Sequence, residues 1–389
     1  MHKNHLTKLI LSIVIFVAFF TIQSLGQAVH SVIPYELVGG KMIIKMLING
    51  REERFIFDTG AGKSSLTAEF CRGHYMPATD SIKVNDVNSN SAYYKQTRVA
   101  SIATPDGKIK FNGLMPIIMP EPYPVKCYNV VGFIGSDMLA QTICSIDAKS
   151  KTITIASAGS PINESLRYAH AFAPDAGVPI FNVLVNGEGL NVILDSGSSS
   201  FMNLKQSDFE KLRSLDAIDL IDEGKGSKSF GLSGKIDKSY TYQVYIRNMR
   251  VGPVKMAGIV AETSNPPYTL LGMKFIEYAK VIVDYPNKRL YYVPYLPEII
   301  KPSFNKNTFG ITVSNGQLTV AHIWKNMEGI IAEGDIITHI NGVATRVYDF
   351  CEVVSGVKEL AGNGSKLLTI KTKNEKSITV EYKTEKIKI

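Results

Sequence analysis

Cysteine is scarce in this chain, and the few present fit no metal pattern. The 389 residues include four, Cys71, Cys127, Cys144 and Cys351. Their spacing matches no zinc arrangement, and no histidine lies near enough to complete one. No G-x-S-x-G segment is present, so the nucleophile elbow of a serine hydrolase is excluded. Phosphate loops and dinucleotide fingerprints are missing too. The sequence therefore implies no cofactor and no metal. There is no arginine-rich block with interleaved aromatics, which argues against nucleic acid as a partner. The N-terminal apolar run, Leu9 to Ile22, has 14 residues, against about 20 for a membrane span.

What is there is ordinary globular composition, 45% hydrophobic and 20% charged, enough for a sizeable core in two or three domains. Lys3 and Lys8 precede the short apolar run, and the small residues Ser24 and Gly26 follow it. That order reads as a secretory signal peptide over residues 1–26. The expected product is an exported, mildly basic chain that does not span the membrane, periplasmic or extracellular in a bacterium. The net charge of +8 becomes 8 − 2 = +6 once Lys3 and Lys8 are removed. Export permits disulfides, but the spacing pairs no cysteines, and buried free thiols serve equally well as a reading.

Two segments of the chain are close copies. Asn49-Gly50 leads through an apolar run to Phe57-Asp58-Thr59-Gly60, and Asn186-Gly187 leads to Leu194-Asp195-Ser196-Gly197. The offset between the aspartates is 137 residues, and the same offset maps Ile134-Gly135 onto Leu271-Gly272 and Ile146-Asp147 onto Val283-Asp284. Four landmarks in one register indicate a duplicated unit. Asn-Gly pairs favour tight hairpins, so the first 300 residues read as mostly β. Short helices are expected near Ala68 to Tyr75 and Gln206 to Leu215. Asp147 and Asp284 precede tight turns and are read as turn caps.

These motifs, FIFDTGAGKSSL with GFIGSDML and VILDSGSSSFMNL with TLLGMKFI, resemble the retropepsin-like branch of the aspartic proteases over about residues 32 to 298. From Pro302 the pattern changes. Phe309-Gly310-Ile311, Gly334-Asp335-Ile336-Ile337 and Ile340-Asn341-Gly342 resemble a PDZ domain of the protease-associated kind. The resemblance implies a mainly β protein: a bilobal aspartic-protease fold with lobes at 27–160 and 161–300, then a PDZ domain at 301–389. One chain holding both lobes is expected to work as a monomer.

The resemblance assigns Asp58 and Asp195 as the catalytic pair. Two close carboxylates share one proton, so one can activate water while the other protonates the substrate carbonyl. Thr59 and Ser196 are expected to cross-link the two loops, and Gly60 and Gly197 to let them approach. Gly135 and Gly272 would pass beneath. Tyr93, Tyr94, Phe230 and Gly231 are candidates for a flap over the cleft. Phe309, Gly310 and Ile311 would bind a peptide C-terminus, alongside a peptide or protein substrate in the cleft. Lys63, three residues past Gly60, is a cation that could unbalance the proton sharing. The alternative is a binding or scaffold protein of the cell envelope that kept the fold and lost the chemistry.

Overall fold

The computed structural model describes residues 28–85, 91–120, 123–162, 166–173, 177–226, 240–297, 299–362 and 364–387. The expected signal segment and two flap candidates, Phe230 and Gly231, lie outside the described residues. The protein is mainly β, with short helices. The helices read from sequence are present at Ala68–Gly73 and Gln206–Ser214.

The duplication is written into the strand registers. In the first copy, Lys41–Ile48 turns back at Asn49-Gly50, both with positive φ, into Arg51–Phe57. That strand runs parallel to Gly132–Ile134, with Phe55 opposite Gly132 and Phe57 opposite Ile134. In the second copy, Ile180–Val185 turns at Asn186-Gly187 into Glu188–Leu194. Val192 then faces Thr269, and Leu194 faces Leu271. Apart from the start of the first strand, every one of these positions is shifted by 137. The ends of both central strands are buried on both faces (Phe55, Ile56, Phe57; Val192, Ile193, Leu194), as a parallel pair inside a core requires.

A six-stranded sheet joins the copies, in the order His30–Pro34, Thr152–Ser157, Thr142–Asp147, Ala279–Asp284, Arg289–Pro294, Ala169–Ala171. Its central pair is antiparallel, and Ser145 faces Ile282, its own image under the 137 offset. A pseudo-twofold axis therefore passes through that pair. Asp147 and Asp284 accept the turn N–H groups of Lys149 and Asn287 at 3.0 and 3.2 Å, as turn caps do.

The C-terminal segment has its own apolar core, including Phe309, Leu318, Val320, Ile337, Leu368 and Ile370. It is nonetheless joined to both repeats. The strand Asp219–Gly226 of the second repeat pairs antiparallel with Gln317–Trp324, so one thirteen-stranded sheet crosses residue 300. Ion pairs reinforce the seam: Lys225 with Glu328 at 2.9 Å, Lys306 with Asp222, and Lys325 with Glu223. On the other side Cys127 and Cys351 form a disulfide across 224 residues. It ties the Tyr123–Cys127 helix of the first repeat to the Phe350–Ser355 helix. Beside it Val354 packs on Ile43, Ile56 and Tyr128. Cys71 and Cys144 are free and buried, and burial holds both thiols above their usual range. Among the described residues, no helix is long and apolar enough to cross a membrane.

Candidate active site

Each aspartate leaves the end of its central strand with its backbone pinned by the neighbouring parallel strand. Asp58 N–H donates to Ile134 O at 3.0 Å, and Asp195 N–H donates to Leu271 O at 2.9 Å. The two loops then meet on the pseudo-twofold axis. Thr59 N–H donates to Ser196 Oγ at 3.0 Å, and Ser196 N–H donates to Thr59 Oγ1 at 3.1 Å. Thr59 Oγ1 donates to Leu194 O at 2.7 Å, and Ser196 Oγ donates to Phe57 O at 2.9 Å. Both hydroxyls are fully buried. Four reciprocal hydrogen bonds thus fix one loop against the other and satisfy groups that burial would otherwise penalise.

The same packing brings the carboxylates together. A Cβ built on Gly60 would lie 2.6 Å from Asp195 Cγ, and one built on Gly197 would lie 2.6 Å from Asp58 Oδ1. Each glycine therefore faces the opposite carboxylate, and no side chain fits at either place. Gly135 and Gly272 run beneath the loops: a Cβ there would sit 2.7 Å from Ala61 O and 2.7 Å from Ser198 O. Asp58 Oδ1 also accepts from Gly60 N–H at 2.9 Å and Ala61 N–H at 3.0 Å.

Both carboxyls titrate above the ordinary aspartate range. For Asp58 burial is the main cause, opposed by the charge of Lys41 and by hydrogen bonds from Asp195 and the loop amides. For Asp195 burial again leads, the charge of Asp58 adds to it, and Lys41 opposes. Two such groups in contact bind protons as a unit. Two carboxyls in hydrogen-bonding contact are able to share a proton, and a pair that does so can perform general acid–base work on a bound water.

The remaining expected residues are placed unevenly. Tyr93 and Tyr94 lie on Ser91–Thr97, paired with Ala78–Asn85 in a hairpin. Tyr93 is 76% exposed and Tyr94 is buried. Residues 227–239, which include Phe230 and Gly231, connect Asp219–Gly226 to Tyr240–Val251. Phe309 is buried in the C-terminal core. Gly310 pairs with His322, and the ladder shifts register before Ile311. Lys63 does not reach the carboxylates: its Nζ lies 3.9 Å from Asp137 Oδ2.

The sequence reading missed three groups. Lys41 opens the strand before the first aspartate and donates from Nζ to Gly197 O. Ser136 Oγ lies 2.8 Å from Thr59 O and 2.9 Å from the Tyr285 hydroxyl, so a second-repeat tyrosine supports the first-repeat loop. Asp137 accepts from Ser64 N–H and Oγ, both at 2.7 Å, which holds the turn after Gly60. The 137 offset sets Lys41 against Val178, a difference that by itself does not point to Gly197. Among the described residues, no cluster of histidine, cysteine and acidic side chains could hold a metal ion. No protein-family model matches the chain, and no curated protein matches it in sequence.

Proposed function

We propose that the protein is an exported aspartic endopeptidase, with Asp58 and Asp195 as its catalytic pair. The observation that carries this reading is the reciprocal approach of Gly60 to Asp195 and of Gly197 to Asp58. It leaves two carboxyls adjacent across the pseudo-twofold axis, within hydrogen-bonding reach of each other. In this reading an extended peptide lies across the loops. The ionised carboxylate takes a proton from a water as it attacks the scissile carbonyl carbon, and the protonated one donates to the carbonyl oxygen. The tetrahedral diol then collapses: one carboxyl gives its proton to the amide nitrogen as the C–N bond breaks, and the other carboxylate takes a proton from a diol hydroxyl. This leaves a carboxylic acid, an amine and the pair with one proton as at the start. Gly135 and Gly272 support the loops and do not touch substrate. Tyr93 and Tyr94 are assigned to a flap hairpin, while residues 230 and 231 lie outside the described residues.

The C-terminal segment is read as a PDZ domain. Its Phe309–Ser314 strand pairs on one side with Gln317–Trp324 and has the Phe350–Ser355 helix alongside. A peptide C-terminus would add as a strand between them, at Phe309, Gly310 and Ile311. The Cys127–Cys351 bridge supports export, because such bonds persist in oxidising compartments.

A second reading, a binding protein without catalysis, draws on Lys41: a cation beside the pair lowers both titrations and so favours the ionised form, which has no proton to donate. Turnover of a denatured protein substrate between pH 3 and 8 separates the two. The mature chain should cleave, while Asp58→Asn and Asp195→Asn should each lose roughly 10²–10⁴-fold in kcat/KM with the fold intact. Equal cleavage by all three would remove the assignment of the pair. No cleavage by any would favour the binding protein.

A further inference from the structure

One of the positions at which the two repeats differ places a cation against a catalytic loop. A two-residue turn, Gly39-Gly40, joins Glu36–Val38 to Lys41–Ile48, with both glycines at positive φ. A Cβ on Gly40 would lie 2.6 Å from Ser199 Cβ, in the loop that follows Asp195. One on Gly39 would meet the Tyr128 ring at 3.1 Å and Val354 O at 3.3 Å. The turn is therefore clamped between the second repeat, its own repeat and the C-terminal segment. Lys41, the first residue after it, is half-buried and donates from Nζ to the carbonyl of Gly197. Gly197 is the residue that faces Asp58.

The equivalent position in the second repeat carries no charge. Val178 stands 137 residues after Lys41. Its Cγ1 lies 3.8 Å from where a Cβ of Gly62 would be, and Gly62 is the partner of Ser199 under the same offset. One side of the pair thus has an ammonium and the other an isopropyl group.

We propose that Lys41 is a positioning residue that holds the Gly197 carbonyl and acts as the fixed counter-ion of the Asp58/Asp195 pair. The inference rests on the shared-proton reading of that pair. A carbonyl needs only a donor, and any amide could supply one, so the charge has a separate effect. With one proton on the pair, the carboxylates and Lys41 sum to zero. With two protons the buried group carries +1, and with none it carries −1. A low-dielectric site penalises both departures. Relative to a site without the cation, Lys41 makes each proton easier to lose, and it acts against the burial that lifts both carboxyls.

Other charged groups around the loops are engaged or turned away. Asp137 is held by Ser64 and lies near Lys63. Lys274, on the helix after Gly272, is exposed. The Tyr285 phenol sits behind Ser136, and burial keeps it neutral by raising its titration.

The test is a titration of the full mature chain labelled with ¹³C at the aspartate carboxyls, with Asp58 and Asp195 assigned from their asparagine variants. Lys41→Met should raise both apparent midpoints by about 1–3 pH units, the usual effect of removing an opposite charge at contact range. Lys41→Arg should restore them. Midpoints in Lys41→Met equal to wild type, with the fold retained by circular dichroism, would overturn the proposal. Should Lys41→Met fail to fold, Lys41→Gln keeps a donor for Gly197 and removes only the charge, and unchanged midpoints there overturn it equally. Two wild-type carboxyls titrating independently in the ordinary range would instead sink the shared-proton reading, and that outcome is distinct.

Discussion

The first and second repeats share a backbone plan and differ in what is attached to it. Strand registers, loop amides and the Thr59/Ser196 exchange are superposable under one offset. The differences lie at the margins: Lys41 against Val178, Tyr285 against Ala148, a disulfide on one side and a strand pairing on the other. Symmetry therefore governs the parts that bring two carboxylates into contact. Asymmetry governs the parts that decide how that contact is charged and braced.

Three changes break or sharpen the comparison, beginning with the largest expected effect. Cys351→Ser removes the covalent brace that only the first repeat has. Unfolding by urea should show a loss of about 2–4 kcal/mol, or loss of a single cooperative transition as the C-terminal segment melts first. An unchanged single transition would mean that the strand seam with the second repeat carries the attachment alone. Gly60→Ala and Gly197→Ala probe the symmetric centre. Each places a methyl 2.6 Å from an atom of the opposite carboxyl group, so each should cost about 1–3 kcal/mol of stability by overpacking. Turnover should fall with either change. Similar losses in the two variants would uphold the twofold symmetry, whereas tolerance of one would break it.

The smallest effect per step is in the pH dependence of stability. Both carboxyls titrate higher in the folded chain than the ordinary aspartate value of about 3.9. Between that value and the raised range the folded state binds more protons than the unfolded one. Stability should then fall as pH rises through this window, by at most about 1.4 kcal/mol per pH unit for one retained proton. Asp195→Asn should flatten that slope between pH 4 and 8. A wild-type slope already flat in urea titrations would deny the elevation.

Much of this centre was legible in sequence because it is local and repeated. FIFDTG and VILDSG each specify a buried strand, a sharp turn and a hydroxyl, and duplication supplies the partner. The repeat makes Gly135 and Gly272 equivalent, and their place beneath the loops was implied by the family resemblance. Lys41 was not legible because its partner, Gly197, is 156 residues away in the other repeat. Lys63 drew attention by proximity in the chain, yet the turn after Gly60 carries it to Asp137. The Cys127–Cys351 pairing has no spacing rule to reveal it. The Asp219–Gly226 strand, DLIDEGKG, is too polar and glycine-rich to read as β. It is held by its neighbours, through ladders on both sides and ion pairs to Lys306, Lys325 and Glu328.

Cys127–Cys351 closes a ring of three bodies. The repeats join through the central pair of the six-stranded sheet, the second repeat joins the C-terminal segment through a strand ladder, and the bridge returns to the first repeat. In an open arrangement any one joint could bend while the others stayed still. In a ring a rotation at one joint must be matched at the other two. The Phe350–Ser355 helix, which lies along the Phe309–Ser314 strand, also reaches the Gly39-Gly40 turn, where a Cβ on Gly39 would meet Val354 O at 3.3 Å.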